Sequence, residues 1–211
     1  MYTPPHFRAE PQDAIEQVIL DNPFAILITQ GEELKITHLP VLYDPNKGEK
    51  GTALAHMARA NDHWQPFEQA KESVLIFNGP HAYVSSSWYT QNRAVPTWNY
   101  AAVHLYGNPQ ILDEEQAKLA LRKLIESLEP PDGGYEFENL QAAADRQVGG
   151  IVAFEMPVTR IEAKFKMSQN KTTIDRDIVI DKLSQSERES DREVAEFMKG
   201  LLRAQQDQAQ Q

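Results

Sequence analysis

The feature that most constrains this chain is a succession of short, β-prone apolar segments broken at close intervals by turn formers, with no regular helical crossovers between them. Phe24 to Thr29 reads FAILIT, and Leu34 to Tyr43 follows it across Gln30-Gly31, which predicts a hairpin. Asp44 to Gly51 concentrates Pro45, Asn46, Gly48 and Gly51, after which Thr52 to Met57 alternates as a third strand. Val74 to Phe77 is apolar and bounded by Asn78-Gly79-Pro80, as a short buried strand would be; Ala82 to Ser86 and Asn99 to Tyr106 read as two more. Gly149-Gly150 leads into Ile151 to Glu155 and Val158 to Lys164, two strands divided by Pro157. Several short strands joined by turns favour an antiparallel barrel over a parallel sheet.

Helical periodicity is confined to the margins of this pattern. From Asp13, the residues Ile15, Val18 and Ile19 share a face until Asn22-Pro23 stops them. Asp113 and Gln116 have capping-box spacing ahead of the stripe Ala117, Leu121, Leu124, Ile125 and Leu128, which Pro130-Pro131 ends. Phe137 to Arg146 reads as another short helix. Ser186 and Glu189 repeat the capping spacing before a final helix whose Val194, Phe197, Met198, Leu201 and Leu202 need a partner surface, so burial of Phe197 and Leu201 is expected. The Gln-rich end, Ala204 to Gln211, is expected to fray.

Composition narrows the chemistry. The chain has no cysteine, which excludes disulfides, thiol catalysis, Fe–S ligation and Cys-based zinc sites. Its net charge of -10 repels a polyanion, and no run of Lys and Arg builds a basic patch, so direct DNA binding is disfavoured and left undecided. No basic region followed by an apolar stretch opens the chain, and nowhere do ~18 apolar residues run together. The expectation is a cytoplasmic protein with no membrane association. His56, His63, His81 and His104 raise a metal or haem question, yet no H-x-x-x-H or H-E-x-x-H spacing occurs and no metal site is expected. Neither a G-x-G-x-x-G fingerprint nor a G-x-S-x-G elbow is present.

Several unusual stretches occur together: TPPHF at Thr3 to Phe7, THLP at Thr37 to Pro40, AHMARAN at Ala55 to Asn61, FNGPHAYVSSSWY at Phe77 to Tyr89, VPTWNYAAVHLYG at Val95 to Gly107 and KFKMSQN at Lys164 to Asn170. In this order they closely resemble the PaiB-like FMN-binding negative transcriptional regulators, from about Met1 to Leu183. Ser86 departs from the family, which often has Pro there, and the tail beyond Leu183 matches nothing in it. The resemblance implies a β-rich α+β protein: an antiparallel split β-barrel with peripheral helices and a C-terminal helix, related to pyridoxamine 5′-phosphate oxidase. It further implies a homodimer with FMN in grooves between the subunits. The expected division is an FMN-binding domain over 1–183 and a helical extension over 184–211.

FMN presents a dianionic phosphate, a polyol and a flat redox-active ring, so its site needs cations and hydroxyls at one end and apolar planes at the other. Arg59 is the first phosphate candidate, with Asn61 and His56 beside it just after a predicted strand; the alternative is a surface Arg paired with a carboxylate. Lys164, Lys166 and Ser168 share one face by strand alternation, and Gln169 adds a donor; a solvated strand face is the other reading. Thr29 and His38 read either as ring or ribityl contacts or as satisfied core residues. Trp98 lies in one of two Trp-centred motifs in a chain with 3 Trp, and reads as a cover for the ring or as core. Three functions fit: an FMN-binding regulator acting indirectly or through a partner, an FMN-dependent oxidoreductase of a small molecule, and a haem-binding or haem-degrading barrel with His81 or His104 as proximal ligand.

Overall fold

The computed structural model describes residues 1–9, 12–90, 95–129, 142–143 and 145–209. Among the described residues there are seven strands: β1 (Phe24–Gln30), β2 (Leu34–Asp44), β3 (Thr52–Ala58), β4 (Ser73–Val84), β5 (Thr97–Gly107), β6 (Gln110–Ile111) and β7 (Ile151–Lys166). They form an antiparallel sheet in the order β3-β2-β1-β4-β5-β7-β6, and an additional β3–β7 pairing returns the ladder on itself. This is the split-barrel architecture expected from the sequence. The α-helices α1 (Gln12–Asp21), α2 (Glu114–Leu128), α3 (Thr173–Ser184) and α4 (Glu189–Ala209) accompany it. Among the described residues no helix is long and apolar enough to cross a membrane.

Two sequence expectations are corrected. Asn78-Gly79-Pro80 does not end a strand, because β4 runs through it from Ser73 to Val84. Gly79 serves close packing there: a Cβ on it would stand 3.0 Å from the Ala101 Cβ and 3.1 Å from a Val18 methyl. Pro80, which lacks an N–H, lies beyond the β1 pairing that ends at Ile26↔Ile76. Pro157 likewise leaves β7 whole, because it stands at the last position of the β3 ladder, opposite Thr52.

The chain forms two compact units. One contains Ile19–Phe77 and His104–Glu162. Its hairpin buries Ala25, Leu27 and Thr29 on one face and leaves Phe24, Leu34 and Ile36 exposed on the other, in the register Phe24↔Pro40, Ile26↔His38 and Ile28↔Ile36. Buried Phe154 meets Phe67 edge-on, with centroids 5.1 Å apart. The expected capping box forms on α2, where Asp113 accepts from the Gln116 N–H at 2.9 Å and the Gln116 side chain accepts from the Asp113 N–H at 3.2 Å. The helix ends at Leu128, capped by Glu129. Pro130-Pro131 and most of Phe137 to Arg146 lie outside the described residues; residues 142–143 and 145–147 are helical.

The other unit contains Met1–Val18, Asn78–Val103 and Ala163–Gln211. Its α3 was not anticipated. Thr172 caps it by accepting from the Asp175 N–H at 3.1 Å, and Asp175 accepts from the Thr90 N–H and hydroxyl at 2.8 and 2.9 Å. These donors, Thr90 foremost, hold the Asp175 carboxyl below the usual carboxylate range. Helix α4 packs on α3, burying Val194, Ala195 and Met198, while Phe197 is half-buried edge-on to Phe165 at 5.1 Å and Leu201 is half-buried. The Ser186–Glu189 capping box does not form. The Ser186 hydroxyl accepts from the Arg188 N–H and donates to Asp191, so it braces the approach to a helix that begins at Glu189.

Candidate functional site

In the second of these units, the end of β7 carries the cations expected from the KFKMSQN motif. Lys164 is 9% exposed, and its ammonium lies 5.3, 5.8 and 6.0 Å from the ring centres of Tyr100, Tyr2 and Phe7. Lys166 donates to the Trp98 carbonyl at 2.7 Å and to the Thr97 hydroxyl. Burial, with help from the charges of Lys164 and Lys171, pulls the Lys166 pKa below that of an ordinary lysine. Among the described residues no carboxylate stands within ion-pair distance of Lys164 or Lys166.

The other polar members of the motif fix the turn after β7. Ser168 takes φ 61°, is buried, and exchanges hydrogen bonds with the Asn99 amide at 3.1 and 3.2 Å. Gln169 accepts from the Met167 N–H at 2.7 Å and donates to the Phe165 carbonyl at 2.5 Å. A non-glycine residue at positive φ persists only where its surroundings over-determine it, and these bonds supply that constraint.

Beside the cations, β4 and β5 frame a groove of about 540 Å³, lined by Asn78, Gly79, His81, Trp98, Tyr100, Ala101 and Ala102. Trp98 is 52% exposed, its centroid 6.1 Å from that of His81 and 6.2 Å from that of Tyr83. His81 Nδ1 lies 3.3 Å from the Gly79 carbonyl, and in the tautomer that donates to it Nε2 remains as the ring's acceptor. Trp98 was expected from the sequence as a flavin contact and His81 as a haem ligand; Asn78 was not expected. Strand alternation from Trp98 places Tyr100 and Ala102 on the same face, and Asn78 and His81 both sit in the FNGPHAYV motif.

The remaining expected residues belong to the other unit. Thr29 is fully buried, its hydroxyl 2.7 Å from that of Ser73. His38 is exposed and stacks on Phe24 at 6.1 Å. His56 is half-buried, and burial lowers its pKa. Arg59 is exposed, donating from Nε to the Gly149 carbonyl at 2.9 Å and from its guanidinium to the Ile151 carbonyl at 2.7 Å, which anchors the start of β7. Asn61 donates to the Thr37 hydroxyl at 3.0 Å and accepts from the His63 N–H at 3.1 Å. Arg59 and Asn61 therefore each direct polar groups to their own scaffold. Among the described residues no three His, Asp or Glu side chains gather where they could hold a metal ion.

His63 is the most perturbed group here. It is 1% exposed, its Nδ1 is 2.8 Å from the Thr37 hydroxyl, and its pKa is lowered to about 4 by burial and the Lys35 charge, with Asp62 opposing. An unfolded histidine takes its proton near pH 6.5. Between pH 6.5 and 4 the unfolded chain thus binds more protons than the folded one, so stability is complete above that window and falls with acid. The expected loss by pH 4 is roughly 3 kcal/mol from this residue. Urea midpoints at pH 7, 5 and 4 measure it, and His63→Gln is expected to flatten the dependence; an equally steep variant would assign the acid sensitivity elsewhere.

Comparison with known proteins agrees with this architecture. Residues 1–160 match the family described as "Putative FMN-binding domain". The chain is 34% identical over 209 residues to the protease synthase and sporulation protein PAI 2 of Bacillus subtilis, covering 97% of this chain and 100% of that protein. Among solved structures it is similar to the flavocytochrome Anf3 from Azotobacter vinelandii, with TM-score 0.57 and 14% identity over 74% of this chain and 68% of that one. A FAD and haem binding protein from Mycobacterium smegmatis gives TM-score 0.57 at 10% identity, over 75% and 72%. These two likenesses establish a common fold.

Proposed function

We propose that this chain, which belongs to the PaiB-like family of FMN-binding split-barrel proteins, holds FMN in the Trp98 groove, with the phosphate toward Lys164 and Lys166. One observation carries the reading: two lysines with no carboxylate partner among the described residues flank an aromatic groove, in a chain where 31 acidic residues outnumber 21 Lys and Arg. The residues fit the group. The groove volume lies within the ~300–1,000 Å³ usual for ligand sites. Exposed Trp98 offers a plane for a flat ring, and His81 offers a hydrogen-bonding nitrogen at its edge. Bound FMN supplies hydride or single-electron chemistry, while the chain's own residues bind it, orient it and shield one face. In this reading Ser168 and Gln169 support the turn beside the lysines, and Arg59, Asn61, His56 and Thr29 serve the fold of their own unit.

The same proposal makes the protein a homodimer. The outward face of the β1–β2 hairpin carries Phe24, Leu34 and Ile36 at 66%, 54% and 56% exposure, and half-buried Ile26, Ile28, Val74 and Ile76 continue it onto β4. A second copy of the face is its fitting cover, since a two-fold interface pairs one patch with itself. The wider role follows the family: a cytoplasmic, FMN-bound dimer that influences transcription through a partner, because a chain of net charge -10 repels DNA. A second reading, FMN-dependent oxidoreduction of a small molecule, is favoured by the exposure of Trp98 and His81 along the groove.

The absorption spectrum of protein purified from cells, then of protein reconstituted with FMN and separated from excess, tests both. Flavin bands near one per protomer are expected, and bleaching by an anaerobic nicotinamide donor would move oxidoreduction ahead of regulation. Absence of retained flavin would sink the proposal, and a Soret band would replace it with haem bound at His81.

A further inference from the structure

We propose that the N-terminal segment, residues 1–9, is a positioning strap that fixes the Lys164 ammonium at the groove and thereby sets a preference for phosphorylated over unphosphorylated flavin. The inference rests on the flavin reading of the groove and adds a residue set that takes no part in lining it. A lysine carries a compact charge on a flexible four-carbon stem, and is ordinarily solvated or held by a carboxylate. Among the described residues Lys164 is neither: it is 9% exposed, and three aromatic rings stand within 6.0 Å of its ammonium.

Two of the three rings come from the strap. Pro5–Phe7 forms a 3₁₀ turn, closed by the Phe7 N–H donating to the Pro4 carbonyl at 2.9 Å, and the paired prolines limit its backbone freedom. Arg8 then makes an antiparallel bridge with Lys164 itself, and buried Phe7 and Ala9 anchor the segment. Tyr2 is 84% exposed, so filling the core does not explain its place; its ring stands 5.8 Å from the ammonium. The third ring, Tyr100, belongs to the groove wall.

Aromatic faces attract a cation without neutralising it. The strap thus holds Lys164 still while leaving its charge unspent, and Lys166 and Lys171 add positive potential nearby. Asp175 stands near Lys171, but among the described residues no carboxylate lies within ion-pair distance of Lys164 or Lys166. A phosphate dianion at the groove end would meet donors already oriented for charge-assisted hydrogen bonds, whereas the flavin without its phosphate would gain nothing from them.

Flavin fluorescence titration of the full chain with FMN and with riboflavin tests this. The native protein is expected to bind FMN more tightly. Tyr2→Ala, a change at an exposed position, is expected to weaken FMN about tenfold while riboflavin affinity and melting temperature stay unchanged. Lys164→Met is expected to abolish the difference between the two flavins. Equal weakening of both ligands by Tyr2→Ala would overturn the strap by making Tyr2 part of the ring site. An effect of Lys164→Met without any of Tyr2→Ala would overturn it by leaving the lysine to act alone. A native protein that binds neither flavin would instead overturn the flavin reading and the strap with it.

Discussion

Ile36→Lys is expected to convert the proposed dimer into a monomer without unfolding it. Ile36 stands opposite Ile28 on the outward face of the hairpin and is 56% exposed in the single chain. A change there removes little that the protomer buries by itself, and surface substitutions of this kind stay within roughly 0.5 kcal/mol of native stability. In a two-fold interface the same lysine appears twice, and each uncompensated buried charge costs roughly 3–5 kcal/mol. Dissociation should therefore strengthen by at least about a thousandfold. Light scattering across a dilution series measures the mass and thermal melting measures the fold. A native-like dimer in the variant would place the interface on some other face.

Ala102→Phe is expected to close the groove. Ala102 is half-buried, shares its strand face with Trp98 and Tyr100, and lines the cavity. A benzyl group at that position occupies the volume proposed for the flavin ring and leaves Lys164, Lys166 and the Asn99–Ser168 pair untouched. The expected result is a loss of flavin affinity of roughly a hundredfold, since overfilling a packed site costs about 1–3 kcal/mol. The melting temperature should remain native. Undiminished binding in an intact variant would show that flavin sits away from this groove.

Much of the barrel was legible because period-2 alternation and turn chemistry agree over β1, β2 and β3, and because Asp113 and Gln116 form the capping box their spacing announces. The misreadings have a common cause. Prolines at 80 and 157 look like breaks locally, but each stands where a ladder with one neighbour has ended, and pairing partners are not visible in a linear chain. Helix α3 escaped notice because Ile174 is exposed while Val179 and Leu183 are buried, so its apolar residues make no single stripe. Site residues divide in the same way. Residue type marks Thr29, Asn61, Ser168 and Gln169 as able donors, but only the fold reveals that Ser73, Thr37, Asn99 and the Phe165 carbonyl already engage them. Alternation places Lys164 and Lys166 on one face; two of the three rings around Lys164 come from a segment more than a hundred and fifty residues earlier in the chain.

The stretch by which this family is recognised stops at residue 160, part-way along β7, which continues to Lys166. Recognition and folding therefore have different boundaries. A protein trimmed to the recognised stretch would end inside a strand and lose both lysines, the Ser168 partner of Asn99 and the helices that bury Val179 and Val194. When relatives are compared for ligand selectivity, variation just past the recognised boundary should carry more information than its position outside the shared signature suggests.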